Sequence, residues 1–121
     1  MRIVIADDNK DAADLLSLFL AAEGHTVVAT VYDGESAVRE TVKSGADLAI
    51  LDIDMPGKTG YEAACDIHAA APGTFLVGLS GLPQKKSAAT FHDYIIKPLD
   101  VDRLLGIIKK LATSDDSTRM Q

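Results

Sequence analysis

Three carboxylates, one hydroxyl and one ammonium stand at the ends of short apolar runs in this chain. Asp7 and Asp8 follow the run 2–6, Asp52 closes the run 48–52, Ser80 closes 74–80, and Lys97 follows 94–96. If those runs are parallel strands, all five groups converge on one edge of a sheet. Three clustered carboxylates repel one another and raise each other's pKa unless a cation sits among them. Oxygen donors suit a hard divalent ion, and Mg2+ is commonly held by one or two carboxylates together with phosphate oxygens. No His or Cys lies near these run ends, which argues against zinc. With the metal in place, Asp52 can attack phosphorus and form an acyl phosphate. Lys97 then supplies a compact positive charge and Ser80 a hydroxyl donor to the phosphoryl oxygens. Taken alone, Asp7 and Asp8 read more readily as a turn and helix cap, by roughly two to one. Asp52 does not, because it ends a run that should be buried, where an unpaired carboxylate costs several kcal/mol or loses its charge.

The elements that must position these groups follow from the pattern around them. Short β-branched runs at 2–6, 26–31, 48–52, 74–80 and 94–96 alternate with stretches of helical period, which indicates helices layered on a parallel sheet. Several runs are apolar throughout, as strands covered on both faces should be. Ala12, Leu15, Leu16, Phe19 and Leu20 share one helical face, with Gly24 placed to end that helix. Val101, Leu104, Leu105, Ile108 and Leu111 repeat the pattern, with Asp100 as the N-cap. Alanine-rich stripes at 35–43 and 61–70 suit helices packed close on a sheet. Between them and the last helix, 84–90 offers only about two turns, so the fourth of five expected helices is short or mobile. The sum is a doubly wound α/β sandwich, whose site belongs at the carboxyl ends of the strands.

Composition bounds the rest. A chain of 121 residues, 47% hydrophobic and 25% charged, suits one globular domain. The expected division is a domain over 1–113 and a polar, non-periodic C-terminal tail over 114–121. The apolar runs are too short to cross a bilayer, and the N-terminus has no signal-peptide core, so a cytoplasmic protein without membrane contact is expected. A net charge of −6 disfavours direct nucleic-acid binding. The single cysteine, Cys65, cannot form an internal disulfide and reads as a small core or helix-face residue.

The ordered set Asp7-Asp8, Asp52-Ile53-Asp54-Met55-Pro56 continuing to Gly60, Ser80-Gly81 and Lys97-Pro98 resembles the receiver domains of two-component response regulators, over nearly the whole chain. The resemblance implies a flavodoxin-like sheet of order 2-1-3-4-5 and a stand-alone signalling switch rather than an enzyme with an external substrate. By the same resemblance Asp52 is the phosphoacceptor, and Asp8 and Asp52 are direct Mg2+ ligands. Asp7 acts through a metal-bound water, and Asp54 contributes its backbone carbonyl. Ser80 is the switch hydroxyl, Tyr94 the switch aromatic, and Lys97 the phosphate-binding lysine before a cis proline. The implied partners are a histidine kinase or histidine phosphotransfer protein and a downstream protein target. The segment between Ser80 and Lys97 is shorter than in typical receivers, so partner contacts are expected on the first or last helix.

The same residues admit other readings. Asp52-Ile53-Asp54 also resembles the nucleophile and acid pair of haloacid-dehalogenase-like phosphatases, which makes a small Asp-nucleophile phosphohydrolase the alternative. Those enzymes place the pair after the first strand and follow it with Thr or Val, where this chain has Pro56. A receiver that binds partners without phosphorylation conflicts with the intact acidic cluster. A flavin or nucleotide site lacks a glycine-rich phosphate loop. Tyr94 alone could simply cover the sheet edge. His25, His68 and His92 have no metal-like spacing and read as surface or strand-end residues. Lys85 and Lys86 read as solvated loop charges.

Overall fold

The computed structural model describes residues 1–81 and 90–120, with 113–120 as backbone only. Five strands, β1 (Arg2–Ala6), β2 (Thr26–Val31), β3 (Leu48–Asp52), β4 (Phe75–Ser80) and β5 (Asp93–Ile96), pair in parallel in the order β2-β1-β3-β4-β5. Helices α1 (Lys10–Ala22), α2 (Gly34–Ser44), α3 (Gly60–Ala70) and α4 (Val101–Met120) connect or follow them. The strands match the apolar runs, with β4 beginning one residue later and β5 one residue earlier than expected. The short fourth helix expected over 84–90 falls mostly on residues 82–89 and lies outside the described residues.

Alternation within each strand builds two cores. Ile3, Ile5, Leu48, Ile50, Val77, Leu79 and Ile95 face Ala13, Leu16 and Leu20 of α1 and Leu104 and Ile108 of α4. On the other face, Ala6, Ala49, Leu51 and Leu76 meet Ala37 of α2 and Ala63, Ala64 and Ile67 of α3. β3 is buried along its whole length, so a one-residue slip would exchange its two side-chain sets between unequal cores. The alanines of α2 and α3 give a weak helical stripe in the sequence, yet they let both helices sit close to the sheet.

Caps fix the helix entries. Asn9 accepts from the Ala12 N–H to open α1, Asp33 from Ser36 to open α2, and Thr59 and Glu62 close a capping box on α3. Asp100 caps α4 as expected, accepting from the Arg103 N–H at 3.1 Å. The backbone of α4 continues as helix to Met120, past the point where the polar tail was expected to begin. The sequence after Gly106 contains neither Gly nor Pro to stop it.

Candidate phosphoacceptor site

The parallel sheet brings the run ends together. Asp7 follows β1 and is fastened there by donation from its N–H to the Val31 carbonyl, at 3.2 Å. Its carboxylate accepts from the Asn9 N–H at 3.0 Å. The helix cap is therefore Asn9, which leaves Asp7 and Asp8 outside the capping role. Carboxylate oxygens of Asp7, Asp8 and Asp52 lie within 4.8 Å of one another, the one such acidic group among the described residues. Asp7 and Asp52 are buried, at 4% and 3% exposure, while Asp8 is open to solvent.

Lys97 enters from the end of β5. Its N–H donates to the Ser80 carbonyl at 2.7 Å, and its ammonium stands 3.2 Å from Asp52 Oδ2 and 3.7 Å from Asp7 Oδ2. The Lys97-Pro98 peptide is cis, as expected. Burial pushes the Asp52 carboxyl up to about 6; Lys97 pulls against this and the Asp7 charge adds to it. For Lys97 burial opposes the charge, but Asp52, Asp7 and Asp8 outweigh it and hold the ammonium above the usual lysine value. One ammonium faces three carboxylates. The all-oxygen donor set, with an excess of negative charge that leaves a buried acid hard to ionise, fits a hard divalent cation such as Mg2+.

The loop after β3 shapes the other wall. The Asp54 N–H donates to Asp52 Oδ1 at 3.3 Å, and the Asp54 side chain points into solvent. The Gly60 N–H donates to the Ile53 carbonyl at 2.9 Å, drawing the loop closed. A Cβ on Gly60 would lie 2.4 Å from the Asp52 carbonyl oxygen, so only glycine admits α3 this close to the acceptor strand. Ser80 is buried at 3% exposure on the strand beside β3, one residue beyond Leu79, which is the register partner of Asp52.

Tyr94 lies on β5. Its half-buried ring lies over Gly78 of β4, where an added Cβ would meet it at 2.9 Å. It packs on Phe91 with centroids 5.2 Å apart. Burial, and to a lesser degree Tyr61, pushes its phenol up. Leu15 and Leu18 stand exposed on α1, one of the two helices on which partner contacts were expected. Cys65 is an exposed residue on α3, near Thr90.

Three residues have structural roles beyond those their sequence reading assigns. Asn9 carried a usable signal, since Asn before an apolar helical stripe is a standard N-cap choice. His92 did not: its Nδ1 accepts from the Leu76 N–H at 2.9 Å while its own N–H donates to the Leu76 carbonyl, a pairing only the folded sheet creates. Gly34, buried at the start of α2, gave no signal beyond being a glycine near a helix entry.

A family model described as the response regulator receiver domain matches residues 3–109. The regulatory protein VanRc of Enterococcus gallinarum is 32% identical over 117 residues, covering 89% of this chain and 48% of VanRc. The protein-glutamate methylesterase/protein-glutamine glutaminase 2 of Caulobacter vibrioides is 30% identical over 105 residues, covering 81% of this chain and 30% of its own length. This chain thus spans about half, or less, of those relatives. Among solved structures, a CheY-like receiver domain protein from Methanospirillum hungatei superposes with a TM-score of 0.86 at 24% identity, covering 97% of each chain. The CheX–CheY complex with BeF3 and Mg2+ from Borrelia burgdorferi gives 0.82 at 24% identity, covering 92% of this chain and 88% of that one. Identities this low establish a common fold. Among the described residues, no helix is long and apolar enough to cross a membrane.

Proposed function

Since the chain belongs to the family of response regulator receiver domains, we propose that it is a phosphorylation-dependent switch whose acceptor is Asp52. A phosphohistidine on a histidine kinase or phosphotransfer protein is the donor. An Asp52 carboxylate oxygen forms the new bond to phosphorus as the P–N bond breaks, and the electron pair of that bond leaves with the imidazole nitrogen. Asp8 and Asp52 would hold Mg2+ directly, Asp7 through water and Asp54 through its carbonyl. When bound, the ion neutralises charge on the transferring phosphoryl group. Lys97, already 3.2 Å from Asp52, keeps a fixed positive charge beside the acceptor. Before transfer it pairs with the carboxylate, and afterwards with a phosphoryl oxygen. Ser80 donates its hydroxyl to another, and Tyr94 follows Ser80 as the reporter of the new state. A dianion paired with Ser80 and Lys97 favours the conformation that brings them closer, and the altered surface changes which protein partner binds.

The observation that carries this reading is a buried aspartate ringed by two further carboxylates and one ammonium at the carboxyl edge of the sheet. Nothing favours the phosphohydrolase alternative comparably. Asp54 offers Asp52 its backbone N–H and turns its carboxylate to solvent, whereas a general acid must face the leaving group. Incubation with acetyl phosphate and Mg2+ should place one phosphoryl group per chain, lost in Asp52→Ala and with chelator. Labelling that persists in Asp52→Ala would refute the assignment. Sustained turnover of p-nitrophenyl phosphate would revive the hydrolase.

A further inference from the structure

We infer that Gly34, at the first turn of α2, is a positioning residue for the acceptor loop: its bare α-carbon seats the Lys58 carbonyl and so holds the loop from Ile53 to Gly60 against the site. The inference rests on the phosphoacceptor reading for its meaning, but its geometry is independent of it. A Cβ on Gly34 would lie 2.2 Å from the Lys58 carbonyl oxygen and 2.9 Å from the carbonyl carbon. The obstruction is backbone, so no side-chain rotation relieves it. Neither side can retreat freely. Asp33 fixes the entry of α2 with bonds to the Ser36 N–H at 2.7 Å and the Ser36 hydroxyl at 3.0 Å. The loop is closed by Gly60 donating to the Ile53 carbonyl and pinned at the acceptor by the Asp54 N–H on Asp52 Oδ1. Lys58 itself is paired with Asp66 of α3. The loop therefore lies between α2 and α3. Both helices approach it through a glycine, Gly34 on one side and Gly60 on the other.

The competing account is that Gly34 is an incidental weak residue in the first turn of a helix. Ala is a better helix former than Gly, so on that account Gly34→Ala raises the melting temperature and leaves the loop untouched. The seat predicts the opposite sign locally. Relieving a 2.2 Å contact requires a shift of about 1 Å to reach ordinary van der Waals separation. Gly57 of the same loop holds a left-handed φ of +73°, a conformation that favours glycine.

The test uses 15N-labelled full-length chain, with circular dichroism to confirm that each variant folds. In Gly34→Ala without metal, exchange of the Asp54 and Gly60 amides should quicken at least tenfold, while amides of β1 and β4 keep their protection. Mg2+ affinity, read from amide shifts, should fall about tenfold or more, and acetyl phosphate labelling should slow in proportion. Lys43→Ala, in the exposed last turn of the same helix and without this contact, should leave all three unchanged. Should Gly34→Ala not fold, the wild-type titration decides: Mg2+ should move the Gly34 and Lys58 amides, and leave that of Thr41, farther along α2, in place. Unaltered exchange and Mg2+ affinity in a folded Gly34→Ala, or a Gly34 amide that stays silent in the wild-type titration while those of Asp54 and Gly60 respond, would overturn the inference. A wild-type chain that binds Mg2+ nowhere and takes no label would overturn the phosphoacceptor reading instead, whatever the Gly34→Ala exchange rates.

Discussion

At the scale of single residues, Asp52 illustrates a site organised around a charge that its buried surroundings disfavour. Only 3% of the residue is exposed, and burial followed by the Asp7 charge outweighs the help from Lys97, leaving the carboxyl at about 6. An acid whose folded pKa lies above its unfolded value of 3.8 binds its proton more tightly in the native state. It therefore favours folding at low pH and loses that contribution as pH rises from about 4 to 6. At pH 7.5 in chelator, Asp52→Asn removes the charge while keeping the shape, and should stabilise the chain by about 1–3 kcal/mol. The advantage should shrink as pH falls below 5. Urea titrations at the two pH values measure it. A destabilised Asp52→Asn at pH 7.5 would show that Lys97, rather than burial, dominates the energetics of this carboxylate.

At the scale of elements, the junction of β4 and β5 depends on an unusual pairing. His92 sits before β5 and fastens to Leu76 at two points: its N–H donates to the Leu76 carbonyl, and its imidazole Nδ1 accepts from the Leu76 N–H. The ring also stacks on Phe75 with centroids 4.6 Å apart. Nδ1 can accept only while unprotonated. Burial, then the neighbouring His68, lowers the His92 pKa below 6.5. A lowered folded pKa means that stability is fully present above the unfolded value and fades as pH drops below it. His92→Phe keeps a ring on Phe75 but leaves the Leu76 N–H without its acceptor. It should cost about 1 kcal/mol at pH 7.5, and the gap to wild type should narrow below pH 6. A pH-independent gap would place the energy in the stacking. The same junction shows what the sequence conceals. β3, with its continuous apolar run, and α1, with its full helical stripe, were legible because burial dictates residue type along their whole length. β5 is four residues long and was legible as an apolar run short by one residue, but the partner of the histidine before it lies sixteen residues away. The site divides the same way. Asp7, Asp8, Asp52, Ser80 and Lys97 declared themselves by sitting at run ends, whereas Gly34 and Gly60 matter for atoms they lack, and only coordinates reveal what fills the space.

At the scale of the whole molecule, the acidic hollow joins residues far apart in the chain, from the ends of β1, β3 and β5. Mutual repulsion among Asp7, Asp8 and Asp52 pushes those strand ends apart, so a cation bound there acts on the sheet as a unit and not on one loop. An ion that binds only the folded chain stabilises it by RT ln(1 + [L]/Kd), which is about 1.4 kcal/mol at ten times Kd. For a domain of this size that corresponds to several degrees in Tm. Melting curves of the dephosphorylated chain should therefore rise with Mg2+ concentration and return to baseline with chelator, while NaCl at equal ionic strength gives a smaller and non-saturating change. Asp8→Asn, which removes the solvent-exposed carboxylate and leaves the buried pair intact, should abolish most of the saturating rise and barely move the metal-free Tm. A saturating Mg2+ response that Asp8→Asn leaves whole would locate the ion elsewhere on this acidic surface. No saturating response in the wild type would mean that the three carboxylates are reconciled by Lys97 and solvent, and that the hollow does not recruit the ion on its own.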